Sequence, residues 1–506
     1  MYGVKTEIAM TDAGFSRREF LKATGKASAG IATLGGADLA GSPQQGEAAR
    51  GRAPMSGGTN LKAGVAKVDI TPPTGLPMWG YDLRVNTGTL DPLYARVLLL
   101  ESEEKRLAIV ALDLGRCFGK ASVSNLRAKA RQSCGIDYLL LAASHTHSGP
   151  VIQDTYKDGT PAWEGNILEK IDGAIKAAHT HTVDARLGTG YGVAYIGHNR
   201  HQLNPDGSVT WFEHNPTHIP TAPIDPTVAV LRVDNDEGEP LAILVNYACH
   251  AVVFGPDNRR YSADYPGVMT RTVEEAFGNK PVCFFLQGAA GDINAYYSVV
   301  PLAEGAMKLR DWTGNRLGQE AARVARSIQT KIATRPSLDY AETSPTFRFR
   351  WNVEKFHEAC LGSAHNDPKI LDAYYPSTEP EQQLPVGTVL INREIAFMSM
   401  PGEPFVEFQM EWRERCPVRD SFFLGYANGY YGYLPTVRAA TEGGYGAAST
   451  STWMEVGAGD RMVNTAVVKT YEMLGRLLDG PEDPREDYTV TRALSSSAAS
   501  LDPAAR

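Results

Sequence analysis

Short apolar runs recur along the chain, and each stops at Gly, Pro or a polar cluster. Residues 65–70, 95–101, 106–114 and 136–143 are rich in Val, Leu, Ile and Ala, which predicts strands. The same pattern recurs at 227–233, 241–247, 281–286, 347–353, 388–391, 395–400 and 422–426. Between them, apolar positions fall at helical spacing over 120–131, 167–179, 266–277, 317–332, 405–414 and 462–478. Strand, helix, strand order predicts an α/β fold, with mixed β-sheets flanked by helices. The turn-rich stretch Asp234-Asn235-Asp236-Glu237-Gly238-Glu239-Pro240 joins two of the strands as a pair. No internal repeat is visible in the sequence.

The ends of these runs carry the chemistry. The run at 136–143 opens into Ser144-His145-Thr146-His147-Ser148-Gly149-Pro150. Residues i and i+2 of a strand share a face, so His145 and His147 point the same way where it ends. Such a pair makes a metal or proton-transfer site, or else two solvated loop histidines, and other segments must supply further ligands. Four more runs end in polar clusters: at His250, at Asp292 and Asn294, at Glu403, and at residues 428–433. Singly, each has a plain reading. His250 suits a satisfied core histidine, Glu403 suits the start of the next helix, where a carboxylate is favoured, and tyrosines pack well. Together they stand where ligands bind in α/β folds, beyond strand ends, and two histidines with a carboxylate are a common catalytic zinc set.

Composition narrows the partners. The 506 residues are 43% hydrophobic and 21% charged, enough for one large domain or two. Lys and Arg number 50 against 58 Asp and Glu, net −8, and no long basic run exists, so nucleic acid is not an expected partner. Beyond the N-terminus no apolar run reaches the roughly 18 residues that span a bilayer. The six cysteines form no CxxC pair, and Cys249 and Cys283, inside apolar runs, read as small hydrophobes. Ser16-Arg17-Arg18-Glu19-Phe20-Leu21-Lys22, followed by a weakly apolar Ala- and Gly-rich stretch, resembles a twin-arginine export signal over residues 1–40. It implies a bacterial protein folded before export to the periplasm or outside. Residues 41–62 read as linker, 63–479 as a single large domain, and 480–506 as a disordered tail.

The chain also resembles the neutral, non-lysosomal ceramidases in their catalytic domain, from about residue 64 to 478. The resemblance rests on Val65-Ala66-Lys67-Val68-Asp69-Ile70-Thr71-Pro72-Pro73, Met78-Trp79-Gly80-Tyr81, His145-Thr146-His147-Ser148-Gly149-Pro150 and Asn199-Arg200. It continues through Asn246-Tyr247-Ala248-Cys249-His250, Gly291-Asp292, Pro401-Gly402-Glu403, and Asn428-Gly429-Tyr430-Tyr431-Gly432-Tyr433 with Tyr445-Gly446-Ala447-Ala448-Ser449-Thr450. It implies one catalytic Zn2+ with His145, His250, Glu403 and Tyr433 as ligands. It further implies that His147, Arg200 and Tyr445 face the substrate, as donors to a developing oxyanion. The family's essential serine after Gly-Asp falls on Asn294, and the C-terminal immunoglobulin-like domain of the family has no expected counterpart after residue 478.

An amide is no nucleophile, so acyl-serine chemistry at Asn294 is excluded, while a hydrogen bond from it to substrate or water is not. The expectation is an exported zinc hydrolase that cleaves an N-acyl amide by metal-activated water. A zinc esterase, lactonase or carbohydrate deacetylase fits the same site, and so does a metal-dependent binding protein that has lost catalysis. The substrate class is a small molecule derived from lipid or glycan. Trp163, Tyr296, Tyr297, Trp312 and Trp351 suit either sugar stacking or core.

Overall fold

The apolar runs form two β-sheets that pack face to face. The computed structural model describes residues 60–81, 84–103, 105–363 and 377–477. The predicted export segment, the linker up to residue 59 and the tail lie outside the described residues. The first sheet holds β1 (Lys62–Asp69), β2 (Tyr94–Ser102), β3 (Lys105–Leu112), β4 (Tyr138–Ala143), β5 (Val183–Val193), β6 (Thr227–Asn235), β7 (Pro240–Tyr247) and β8 (Val282–Gln287). Their spatial order is β8-β7-β6-β5-β1-β2-β3-β4. The second sheet has four strands, β9 (Leu338–Thr343), β10 (Val386–Ile391), β11 (Ile395–Ser399) and β12 (Asp420–Leu424), in that order.

Both faces of both sheets are covered. Leu98, Leu100, Leu107, Ile109, Leu231, Leu244 and Phe284 of the first sheet meet Val389, Ile391, Phe397 and Phe422 of the second. The outer face of the first sheet is closed by α1 (Lys120–Cys134) and α2 (Ala162–Thr180) over one half, and by α3 (Asp264–Ala276) and α4 (Ala306–Ser327) over the other. The outer face of the second sheet is closed by α5 (Val406–Arg415) and α6 (Ala458–Met473), whose Phe408, Trp412, Met462 and Val463 are fully buried. The result is a four-layer α/β/β/α stack. Strands buried on both faces have no reason to alternate, which is why they read as continuous apolar runs. Cys249 and Cys283 lie buried in one of these clusters, as expected of small hydrophobes.

The first sheet is internally duplicated. β1-β2-β3-α1-β4 is matched by β5-β6-β7-α3-β8: two antiparallel pairs, then a helical crossover into a parallel pair. The registers coincide, Ala95 pairing with Leu112 as Ala229 pairs with Asn246. With the structure as guide the repeat shows in the sequence. Asp91-Pro92 and Leu107-Ala108-Ile109 recur at the same spacing as Asp225-Pro226 and Leu241-Ala242-Ile243, and Arg116 falls opposite His250. This corrects the reading that the chain holds no repeat. Few side chains are shared, because the duplicate needs only apolar, β-compatible residues.

Other departures have local causes. β5 carries Gly188, Gly190 and Gly192, which break the strand signal. A Cβ at each would lie 2.5, 2.8 and 2.2 Å from Ile328, Ile328 and Glu320, so the glycines let α4 and the segment after it sit close on the strand. The strand predicted at 347–353 is short, Thr346–Arg348, and α4 ends at Ser327 rather than at 332.

Three parallel pairs, β3 with β4, β7 with β8 and β11 with β12, send their carboxyl ends toward one region. Asn246 fastens the two sheets there, its Nδ2 donating to Leu286 O at 2.9 Å and Phe423 O at 2.8 Å. Ala142 and Ala427 form a bridge between β4 and the segment after β12.

Candidate metal centre

His145 leaves the end of β4 in a left-handed conformation, φ 63°, stabilised by its N–H on Leu114 O at 2.9 Å. His250 follows β7, its N–H on Ile293 O at 2.9 Å. Both imidazoles are oriented by their Nδ1 atoms. His145 Nδ1 meets Gly115 O at 2.6 Å, and His250 Nδ1 meets Ala290 O at 2.5 Å. A carbonyl accepts only, so each Nδ1 carries a proton and each Nε2 turns inward. Glu403 enters after β11. Its Oε2 is 3.2 Å from His145 Nε2 and 3.1 Å from His250 Nε2. Possible ligand atoms of His145, His147 and His250 all lie within 4.8 Å of one another.

The electrostatics fit a cation. Burial pushes His250 down to about 3, so its ring is neutral. Burial opposes ionisation of Glu403, but His145 and His250 outweigh it and hold the carboxyl well below the usual carboxylate range. Two imidazole nitrogens and a carboxylate oxygen thus face one another in a buried space. A positive ion at their centre would engage all three atoms at once. The donor set of imidazole nitrogens and a carboxylate suits zinc.

His147 sits in this cluster rather than apart from it, with Nε2 3.3 Å from His145 Nε2. Burial, then the neighbouring His145 and His250, push it well below its ordinary value. Its Nδ1 is buried without a hydrogen-bond partner. Gly80 makes room for the ring, since a Cβ there would lie 2.4 Å from His147 Cγ, and its φ of +101° suits glycine alone.

Tyr433 lies nearly parallel to the His250 ring, centroids 6.5 Å apart, and its hydroxyl accepts from Arg200 Nη2 at 2.8 Å. Arg200 is buried, and its guanidinium lies 4.8 Å from the Trp211 ring and 5.5 Å from that of Tyr445. Tyr445, 46% exposed, stands edge-on to Tyr433 at 5.3 Å. Asn294 is fully engaged: Oδ1 accepts from Arg200 Nη1 at 3.0 Å, and Nδ2 donates to Glu213 O at 2.8 Å. Asp292 is buried, accepting from Val406 N and Asn199 Nδ2, each at 2.7 Å, and burial raises it to about 7.

Sequence reasoning missed three neighbours. Tyr430 donates its hydroxyl to Glu403 Oε1 at 2.5 Å. Tyr426 lies 4.3 Å from the His145 ring. Gln287 joins the segments that carry the two histidines. The Tyr-rich loop signalled the first, but no pattern says which tyrosine of Asn428-Gly429-Tyr430-Tyr431-Gly432-Tyr433 turns inward. Of the expected stacking residues, Tyr296 packs on His218 at 4.1 Å and Trp312 on Tyr297 at 5.2 Å, in a separate aromatic group.

Residues 61–300 match the family model of the neutral/alkaline non-lysosomal ceramidases, N-terminal. His145, His147, Arg200, His250 and Asn294 fall within the match; Glu403, Tyr433 and Tyr445 lie beyond it. The fold is similar to that of the neutral ceramidase from Pseudomonas aeruginosa, at 20% identity and a TM-score of 0.64, over 84% of this chain and 76% of that one. A solved structure of a ceramidase complexed with C2 is similar at 19% identity and a TM-score of 0.66, over 84% and 77%. At such identities the likeness is one of fold.

Proposed function

Residues 61–300 belong to the neutral/alkaline non-lysosomal ceramidase family, and from that premise we propose that the chain is an exported, zinc-dependent hydrolase of an acyl amide. The observation that carries the proposal is the inward convergence of His145 Nε2 and His250 Nε2 on Glu403 Oε2, with both Nδ1 protons committed to backbone carbonyls. His145, His250 and Glu403 would hold the ion, with Tyr433 beside His250 as the fourth ligand. An ion bound there supplies a Lewis acid and a water acidified to a pKa of about 7.

The chain's own groups do the rest. Arg200, fixed by Asn294, Gly291 O and Tyr433, presents a buried positive charge to the developing oxyanion. Tyr445, partly exposed beside Tyr433, would donate its hydroxyl to the acyl group. His147, neutral and with Nδ1 unpaired, takes or returns a proton at the reacting centre. Asn294 braces Arg200 and leaves no nucleophile where the family has serine. The substrate is a lipid- or glycan-derived acyl compound, and the twin-arginine segment directs the folded protein to the periplasm or beyond.

A panel of N-acyl and O-acyl substrates, assayed with and without chelator, tests the proposal. Hydrolysis of an N-acyl member, lost with chelator, restored by zinc and abolished together with metal binding in His145→Ala, is the expected result. Full activity in His145→Ala overturns the site. Stoichiometric zinc without hydrolysis of any member favours a binding protein instead.

A further inference from the structure

Glu403 is gripped from two sides, and the grips come from duplicated parts of the fold. Its Oε2 faces His145 and His250, while its Oε1 accepts from Tyr430. Tyr430 is 5% exposed and walled edge-on by Trp79 at 5.3 Å and Trp453 at 5.6 Å. The Arg116 guanidinium lies 4.7 Å from the centre of its ring. Arg116 is buried, paired with Asp154, and donates from Nε to Cys117 O at 3.2 Å. In the repeat, Arg116 follows β3 at the position where His250 follows β7. One strand end therefore reaches Oε2 directly, and its duplicate reaches Oε1 through the Tyr430 ring.

We infer that Arg116 and Tyr430 form a positioning pair that holds Glu403 as a one-oxygen metal ligand and so keeps a coordination position open for substrate. The inference rests on the metal centre proposed above. A carboxylate whose second oxygen is free can turn and chelate with both oxygens. The hydroxyl of Tyr430 occupies that oxygen, and the cation over the ring, locked by Asp154, keeps the ring in place. Neither residue needs to touch substrate.

Cobalt(II), added to the metal-free full chain, reads the arrangement, because its visible absorption weakens as coordination number rises. Tyr430→Phe is expected to lower the band intensity and to weaken cobalt binding about 10–100-fold, as loss of an outer partner does. Arg116→Met, which keeps the hydroxyl but frees the ring, shifts both in the same direction and by less. Tyr431→Phe is the control. Its ring lines a cavity of about 460 Å³ with Arg127, Glu342 and Asn428, and its spectrum should match the wild type. An unchanged band and affinity in Tyr430→Phe overturns the inference, as does an equal shift in Tyr431→Phe. Should Tyr430→Phe fail to fold by circular dichroism, an unchanged band in Arg116→Met overturns it. A wild-type chain that takes up no cobalt overturns the metal centre itself, and the inference with it.

Discussion

Gln287 holds the two histidine-bearing segments together, and replacing it tests how the centre is built. Its side chain is fully buried at the end of β8. Nε2 donates to Ser144 O at 3.0 Å and Cys249 O at 2.9 Å, and Oε1 accepts from Cys249 N at 3.2 Å. Ser144 and Cys249 are the residues immediately before His145 and His250. Gln287→Met keeps the length and volume of the side chain but removes every polar atom. Cys249 O keeps the Tyr265 hydroxyl at 2.6 Å, so Ser144 O and Cys249 N are the groups left without partners. Each buried orphan costs about 1–3 kcal/mol, which sums to roughly 4 kcal/mol, a large part of a total stability of about 5–15 kcal/mol. Urea unfolding followed by tryptophan fluorescence measures the loss. Zinc affinity, measured on the same protein by competition with a chromophoric chelator, should fall about tenfold or more as the two segments come loose. A loss below about 1 kcal/mol with unchanged zinc affinity would refute the reasoning.

Gly80→Ala places a methyl 2.4 Å from the His147 ring; hydrolysis should fall by about 10²-fold while circular dichroism stays native, and unchanged turnover would remove His147 from the reacting centre. Asn294→Ser, which brings in the family's serine, takes the 3.0 Å acceptor from Arg200 and the 2.8 Å donor from Glu213 O. Turnover of the native substrate should drop about tenfold with no burst of acyl-enzyme, and a rise would show that the serine alone was lacking. Burial raises Asp292 to about 7 from 3.8, so the folded chain keeps a proton that the unfolded chain loses. The stability this confers is fully present below about pH 4 and is lost as pH rises through 7. Relative to Asp292→Asn, which cannot ionise, wild-type stability should decline across that interval by up to about 4 kcal/mol; a pH series of urea midpoints showing a constant difference contradicts this.

Much of the fold was legible because strands buried on both faces leave an unmistakable trace. Runs such as Leu107-Ala108-Ile109-Val110-Ala111-Leu112 and Tyr138-Leu139-Leu140-Leu141-Ala142-Ala143 can be little else, and the polar residue that ends each run marks the site side. His145, His250 and Glu403 were therefore found as strand-end residues, and the structure brings them within contact of one another. What stayed hidden depends on tertiary packing. β5 is hidden because close approach of α4 demands glycines, which argue against a strand when read alone. The packing of sheet on sheet is hidden because a run buried on both faces does not say what covers either. The duplication is hidden because its halves share pattern more than residues, and the one position that matters most differs, Arg116 against His250. Tyr430 and Gln287 are hidden because direction, not type, makes them part of the centre.

The central claim is one ion held by His145, His250 and Glu403, and zinc content measures it most directly. Elemental analysis of the full chain, beside His250→Ala, needs no knowledge of the substrate. The account predicts one zinc per wild-type chain and almost none in a folded His250→Ala. Full zinc in His250→Ala, or a wild-type chain that stays empty when zinc is supplied, would contradict it.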